Sequence, residues 1–341
     1  MSQALSFPWL APVWTRLVAW RGALPHAILV RGRQGLGKTA LARMYAQWLL
    51  CESASKGEAP CGRCEACGWF IQGNHPDFRL IEPEALSAAA AENFAESEQG
   101  SSRATAKPSR QIRVDQIREL EDFLAVGTHR SGLRVALIRP AEAMNPSTAN
   151  ALLKALEEPP PGTLFLLVTS QPSRLLPTLR SRCQAIDVPP PSAEVAVAWL
   201  RAQGVSAPEA ALAYAGNLPL DAAEEAASPG VRERLPLAVA GAFEPLVAAD
   251  RLQEFAPGEV VDGLQKWVYD ALALRFGGRQ RYFPAAGAAL AALSRTSPIA
   301  LAQYGRRLAR ARAEATHPLN PRLFIENLLL QLSRLGATHH G

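Results

Sequence analysis

This 341-residue chain has no run of about 18 uncharged apolar residues, which argues against a membrane-spanning helix. The N-terminal stretch Pro8–Trp20 is apolar, but Arg16 interrupts it and Arg21 follows it. It lacks the charged, apolar and small-residue order of a secretory signal, so the expected location is cytoplasmic. Cysteine is sparse, five in all, which excludes a disulfide-rich miniprotein. In a reducing compartment, clustered cysteines point to metal rather than to disulfides. No internal repeat of fixed period is found. Neither sign of charge dominates. Lysine plus arginine number 36, aspartate plus glutamate 31, and the net charge of +5 does not by itself establish nucleic-acid binding. With 48% hydrophobic and 20% charged residues, the composition excludes a collagen-like or wholly disordered chain. At about 150 residues per domain the length suggests two to three domains.

What is present reads first as alternation. Short apolar runs at Ala27–Val30, Phe78–Ile81, Leu133–Ile138 and Thr163–Val168 predict buried strands. Helical spacing falls between them, over Lys38–Cys51, Val114–Val126 and Ser147–Leu156. Strands alternating with helices imply a parallel sheet with crossover helices. The stretch at about 85–110 is rich in Ala, Ser, Glu and Gln, and is expected to be a mobile, solvated insertion. After about Pro191 the strand pattern stops. Ala-rich helices are expected at about 192–203, 206–215 and 218–227, and a helical bundle from about Val231 to Leu335. Ser297-Pro298 marks a helix start, with Ser at the N-cap, and Pro318 and Pro321 delimit the start of the last helix.

The segment Gly32-Arg-Gln-Gly35-Leu-Gly37-Lys38-Thr39 fits G-x-x-x-x-G-K-[ST] in full, between a predicted strand and a predicted helix. In such a loop the glycines let backbone N–H groups wrap a phosphate. Lys38 reaches the terminal phosphates and Thr39 can hold Mg²⁺. P-loop hydrolases also need a carboxylate at the end of a nearby strand to hold the metal. Here the strand ending at Ile138 is followed by Arg139 and Pro140, and a positive Arg139 would repel Mg²⁺. Hydrolysis is therefore expected to be disabled. The rival reading is that Glu142, four residues past the strand, serves as the acid.

Four of the five cysteines, Cys51, Cys61, Cys64 and Cys67, fall within seventeen residues. The tight x2 spacings let two sulfurs reach one metal, and four thiolates leave no open position, so structural Zn²⁺ is expected. An iron–sulfur cluster is the nearest competitor and free thiols a third reading. His75 is close enough in sequence to substitute for one ligand. Farther on, Ser181-Arg182-Cys183 follows a strand, a loop and a short helix at about Leu175–Leu179. By spacing alone, Arg182 is an ordinary surface residue. The helix ending at Leu156 runs into Glu157, Glu158 and Pro159, and acids in a last turn oppose the helix dipole. Such a broken rule marks either a site or a solvated pair.

The string Asn150–Pro159, then Leu166–Ser170, then Leu175–Cys183, together with a P-loop followed by four cysteines, resembles the bacterial clamp-loader AAA+ family. Within it the chain is similar to the delta-prime branch rather than to the gamma/tau motors. The motors have Asp-Glu where this chain has Arg139-Pro140, and an arginine soon after a Gly-Ser pair where Gly216-Asn-Leu-Pro219 stands here. The segment His317–Leu329 is similar to the delta-prime collar ending. The resemblance implies an α/β P-loop (RecA-like AAA+) domain over 1–170 carrying the zinc module at 51–67. A small helical lid over 171–228 and an all-α collar over 229–341 follow. It implies a rigid member of a pentameric ring, beside gamma/tau motor subunits and the delta subunit, that helps load the sliding clamp onto primed DNA in the replisome. By the same resemblance Arg182, within Ser181-Arg182-Cys183, is an arginine finger entering the neighbour's ATP site. Gly32, Gly35, Gly37, Lys38 and Thr39 are nucleotide-binding positions for ATP or ADP, with Mg²⁺ held weakly or not at all. No residue is expected to be catalytic within the chain itself.

Two rival functions stay open on the sequence: an active AAA+ motor, and a zinc-bearing DNA-binding module using the basic C-terminus. From residue 271 on there are ten arginines against Glu314 and Glu326, a net +8, which leaves −3 for the first 270 residues. Arg306, Arg307, Arg310 and Arg312 cluster on one predicted helix. They read first as a solvated face or an inter-subunit contact, and second as a DNA contact.

Overall fold

The computed structural model describes residues 7–53, 57, 59–87, 108–126, 132–227, 230–240, 243–315 and 320–337. The chain divides into two compact units, Met1–Pro191 and Ser192–Gly341. The first is an α/β layer structure. Strands β1 (Ala27–Arg31), β2 (Phe78–Ile81), β3 (Arg134–Ile138), β4 (Thr163–Thr169) and β5 (Gln184–Asp187) form one sheet in the order β2-β3-β4-β1-β5. Every pairing is parallel: Ile138 lies opposite Ile81 and Leu167, and Val30 opposite Val168 and Ile186. Every position of β3 and β4 is buried. That is why these strands are written as continuous apolar runs rather than as alternating ones.

Among the helices of the described residues that accompany the sheet are α1 (Ala11–Ala19), α2 (Lys38–Leu50), α3 (Glu65–Gln72), α4 (Val114–Ala125), α5 (Pro146–Glu157) and α6 (Pro177–Ser181). Ile117, Leu120 and Leu124 on one face of α4 join Leu152 and Leu156 of α5 over Ile138, Phe165 and Leu167 of the sheet. The start of α5 is set by Asn145, whose side-chain oxygen accepts from Thr148 N at 2.9 Å, and by Pro146 in the first turn. Helices α1 and α2 are tied by aromatic contacts of Trp14 with Tyr45 and Trp48, and by the Tyr45 hydroxyl donating to Leu17 O at 3.0 Å.

The four expected strands and the helices α2, α4 and α5 stand within a residue or two of their predicted positions. Strand β5 is not anticipated, because its Gln-Ala-Ile-Asp sequence has only Ile186 buried and presents no apolar run. Its pairing with β1 carries the first unit past residue 170, through α6, to Pro191. The insertion expected at about 85–110 lies for the most part outside the described residues. No helix among the described residues is long and apolar enough to cross a membrane.

The second unit is helical throughout its described residues. Helices α7 (Ala193–Ala202), α8 (Pro208–Tyr214) and α9 (Pro219–Ala227) match the three expected Ala-rich helices. They share the unit with α10 (Val231–Ala238), α11 (Pro245–Leu252), α12 (Pro257–Arg275), α13 (Gly287–Ser294), α14 (Pro298–Glu314) and α15 (Pro321–Ala337). Trp267, Leu264, Leu301, Leu308 and Leu329 are among the residues of its core. Ser297 does occupy the N-cap of α14 ahead of Pro298, but its hydroxyl makes no capping bond. The start of α15 is capped instead by Asn320, whose Oδ1 accepts from Leu323 N at 3.2 Å; Pro318 lies outside the described residues.

Within this core sits one acid, Asp270, fully buried on α12. Its two oxygens accept from three successive backbone N–H groups: Arg281 at 2.8 Å, Tyr282 at 3.0 Å and Phe283 at 2.7 Å. The carboxylate thereby fastens the loop after α12 to the bundle and satisfies three donors that have no strand or helix to join. Removing it would strand those donors in the interior. Asp270→Ala is expected to lower unfolding free energy by about 2–4 kcal/mol in a urea titration, with Asp270→Asn costing less.

Candidate functional site

Strand β1 delivers the chain into the glycine-rich loop, and α2 begins at its last residues, Lys38 and Thr39. Gly32 is required by crowding, since a Cβ there would stand 2.6 Å from Val188 O. Gly37 is required by conformation: it caps α2 with φ +81°, and a Cβ would meet the Phe7 ring at 2.9 Å. Phe7 and Trp9 stack with ring centroids 5.4 Å apart, and the Trp9 indole N–H donates to Leu36 O at 3.0 Å. An N-terminal aromatic pair thus brackets the loop, which no periodicity in the sequence announces.

Lys38 is buried. Its ammonium donates to Arg33 O at 2.6 Å and to Ser170 Oγ at 3.0 Å, across from β1 to the end of β4. The backbone N–H of Ser170 in turn donates to Glu142 Oε1 at 3.0 Å. Glu142 lies in a short 3-10 turn after β3, and its second oxygen is buried without a hydrogen-bond partner among the described residues. One hydrogen-bonded group therefore joins the loop lysine, the β4 terminus and Glu142.

The position immediately after β3 is different in kind. Arg139 forms an ion pair with Glu82, at the end of β2, with 2.6 Å between Nη2 and Oε2. Arg43, one turn into α2, is part of the same group. Its guanidinium is held below the usual arginine range, first by burial and then by the nearby Arg139 charge, while Glu82 pulls the other way. The end of the strand that would carry a metal-holding carboxylate therefore carries Arg139, paired with Glu82, within electrostatic reach of Arg43 on α2. Sequence reasoning identified Arg139 but not its partner, because Glu82 lies 57 residues earlier in the chain.

The four cysteines come together. Cys51 ends α2, Cys61 lies on the connecting loop, and Cys64 and Cys67 lie at the start of α3. Their sulfurs all lie within 4.8 Å of one another, with Cys51–Cys64 and Cys61–Cys67 both at 3.9 Å. A tetrahedral ion with bonds of about 2.3 Å needs sulfur–sulfur edges of about 3.8 Å. The backbone N–H groups of Cys64 and Cys67 point at Cys61 Sγ and Cys64 Sγ, at 3.3 and 3.4 Å. The Cys61 thiol is drawn down to about 6, first by the Arg63 backbone N–H and then by that of Cys64. Trp48 Nε1 donates to Gly57 O at 2.9 Å and fastens the intervening loop to α2. His75 does not join this set: its Nδ1 accepts from Asp77 N at 3.0 Å. The donors present suit a closed, four-sulfur metal site.

Arg182 follows α6 and stands partly exposed. Its Nη2 pairs with Glu157 Oε1 at 2.6 Å and its Nη1 donates to Thr178 O at 3.0 Å. The adjoining Ser181 hydroxyl donates to the same carbonyl at 3.0 Å. Cys183 is partly buried and packs against the core beneath, and burial pushes its thiol up to about 12.

Comparison with known proteins bears on both the sheet and the loops. The family model described as DNA polymerase III, delta subunit, matches residues 15–192. A DNA polymerase III subunit delta' from Pseudomonas aeruginosa is 40% identical over 255 residues, which is 73% of this chain and 70% of that protein. Its counterpart from Escherichia coli is 34% identical over 209 residues, 61% of this chain and 56% of that protein. The E. coli DNA polymerase III subunit tau is 34% identical over 172 residues, 49% of this chain but only 23% of tau. The matched stretches thus span between just over half and about two thirds of the two delta' relatives.

Proposed function

The chain belongs to the DNA polymerase III delta-prime family, and from that premise we propose that it serves in a clamp loader without hydrolysing ATP itself, supplying Arg182 to the ATP site of a neighbouring motor subunit. The observation that carries this reading is the substitution of charge after β3. A P-loop hydrolase needs a carboxylate there. This chain has Arg139, paired with Glu82 and close to Arg43. The phosphate-gripping parts, Gly32, Gly35, Gly37, Lys38 and Thr39, are all kept, so the proposal includes binding of ATP or ADP with little help from Mg²⁺. Arg182 supports the trans role by its position, partly exposed on the loop after α6. The proposed partners are gamma/tau-type motors and a delta subunit in a pentameric ring. Through that ring the chain would act on a sliding clamp and primed DNA at the cytoplasmic replisome, with α7–α9 as lid and the later helices as collar.

One observation favours the rival motor reading: Glu142 is hydrogen-bonded to Ser170, the partner of Lys38, and keeps a buried oxygen free of hydrogen bonds. A single assay separates the two. The isolated chain is expected to show no ATPase above background, whereas robust turnover abolished by Glu142→Gln establishes the motor. Arginine fingers are worth about 10³–10⁵ in rate where an NTPase relies on one, so Arg182→Ala is expected to slow the reconstituted loader at least about tenfold.

The four-sulfur site is proposed to hold one structural Zn²⁺, ligated by Cys51, Cys61, Cys64 and Cys67. A bound Zn²⁺ would tie the end of α2 to α3 and withdraw four thiols from oxidation. Metal analysis should give about one zinc per chain, and Cys64→Ser should release it and lower the melting temperature. A metal-free wild-type chain of unchanged stability would rule the site out.

A further inference from the structure

Glu157 and Arg182 are marked separately in the sequence, one as an acid at the wrong end of a helix and one within Ser-Arg-Cys. In the folded chain they meet at 2.6 Å. The acid that opposes the dipole of α5 is thereby balanced by a guanidinium arriving from α6. Both terminal nitrogens of Arg182 are engaged, Nη2 by Glu157 and Nη1 by Thr178 O. A fork onto a phosphate draws on the same donors. Glu157 is half exposed and Arg182 36% exposed, so the pair can open without unpacking the core around it.

We infer that Glu157 is a positioning residue for Arg182, competing with the neighbouring subunit's terminal phosphate for the same guanidinium. Arg182 rests on Glu157 while the neighbouring site is empty and exchanges that carboxylate for the phosphate when ATP is bound there. This inference rests on the trans reading of Arg182. Because exposed ion pairs are weak, the competition is shallow and reversible, and it sets the ATP concentration at which the neighbouring site works rather than blocking that site.

The test is the ATP dependence of hydrolysis by the loader reconstituted with a tau-type motor subunit. Glu157→Gln keeps the size of the side chain and removes its charge. It is expected to lower KM for ATP by about two- to five-fold without lowering kcat. Glu157→Asp, which keeps the charge, is expected to restore the wild-type KM. In an Arg182→Ala background, Glu157→Gln is expected to change nothing, whereas a merely structural effect at the end of α5 would persist there. A KM that is unchanged or raised in Glu157→Gln overturns the inference, as does an Asp variant that behaves like the Gln variant. If Arg182→Ala leaves the rate intact, the trans reading itself fails. If Arg182→Ala slows the loader while Glu157→Gln leaves KM unmoved, the competition alone is refuted.

Discussion

The five strands of the first unit run parallel, and the chemistry follows from that single constraint. Parallel strands bring their carboxyl ends to one edge of the sheet, so the segments after β1, β2, β3 and β4 are neighbours however far apart they are in sequence. The strand order then decides which segment meets which. Strand β4 lies between β1 and β3, and Ser170 at its end accordingly links Lys38 on one side to Glu142 on the other. Strand β2 lies beyond β3, and Arg139 meets Glu82 there. The complete burial of β3 and β4 holds these ends in register, so the glycine-rich loop and Arg139 are fixed by the same core.

Charge is the second theme. Beside the glycine-rich loop, the strand end where a P-loop hydrolase carries a negative group holds Arg139. At the end of α5 a place that suits a positive group holds Glu157, which Arg182 balances. The basic stretch from residue 271 on is partly neutralised, chiefly by acids of the preceding helices. Arg312 pairs with Asp262 at 2.6 Å, and Arg322 pairs with Asp250 and Glu326. Arg306, Arg307 and Arg310 stand on the exposed side of α14, opposite the buried Leu301, Tyr304 and Leu308. All four arginines of the cluster are therefore exposed, and Arg312 is in addition ion-paired to Asp262.

The sequence was most legible where the physics is local. Continuous apolar runs announced β1–β4, helical spacing announced α2, α4 and α5, and the phosphate loop and cysteine spacing announced their own geometry. Strand β5 escaped because one buried residue in four leaves no pattern, and its identity depends on pairing with β1. Helices α1 and α3 were not anticipated either, and α3 is short and begins among the clustered cysteines. The pairings that define the site, Glu82 with Arg139 and Glu157 with Arg182, join residues far apart in sequence. Each half was visible only as an anomaly or not at all. The aromatic bracket of Phe7 and Trp9 over Gly37 depends likewise on where α1 packs.

The central claim is a phosphate grip without a metal-holding acid at the strand end. Equilibrium binding of ATP to the isolated chain, measured with Mg²⁺ and again with the metal chelated, tests it most directly. Without a carboxylate after β3, the two affinities are expected to agree within about threefold, and Lys38→Ala is expected to abolish both. Tightening by about tenfold or more on adding Mg²⁺ would contradict the claim and return Glu142 to the role of metal ligand.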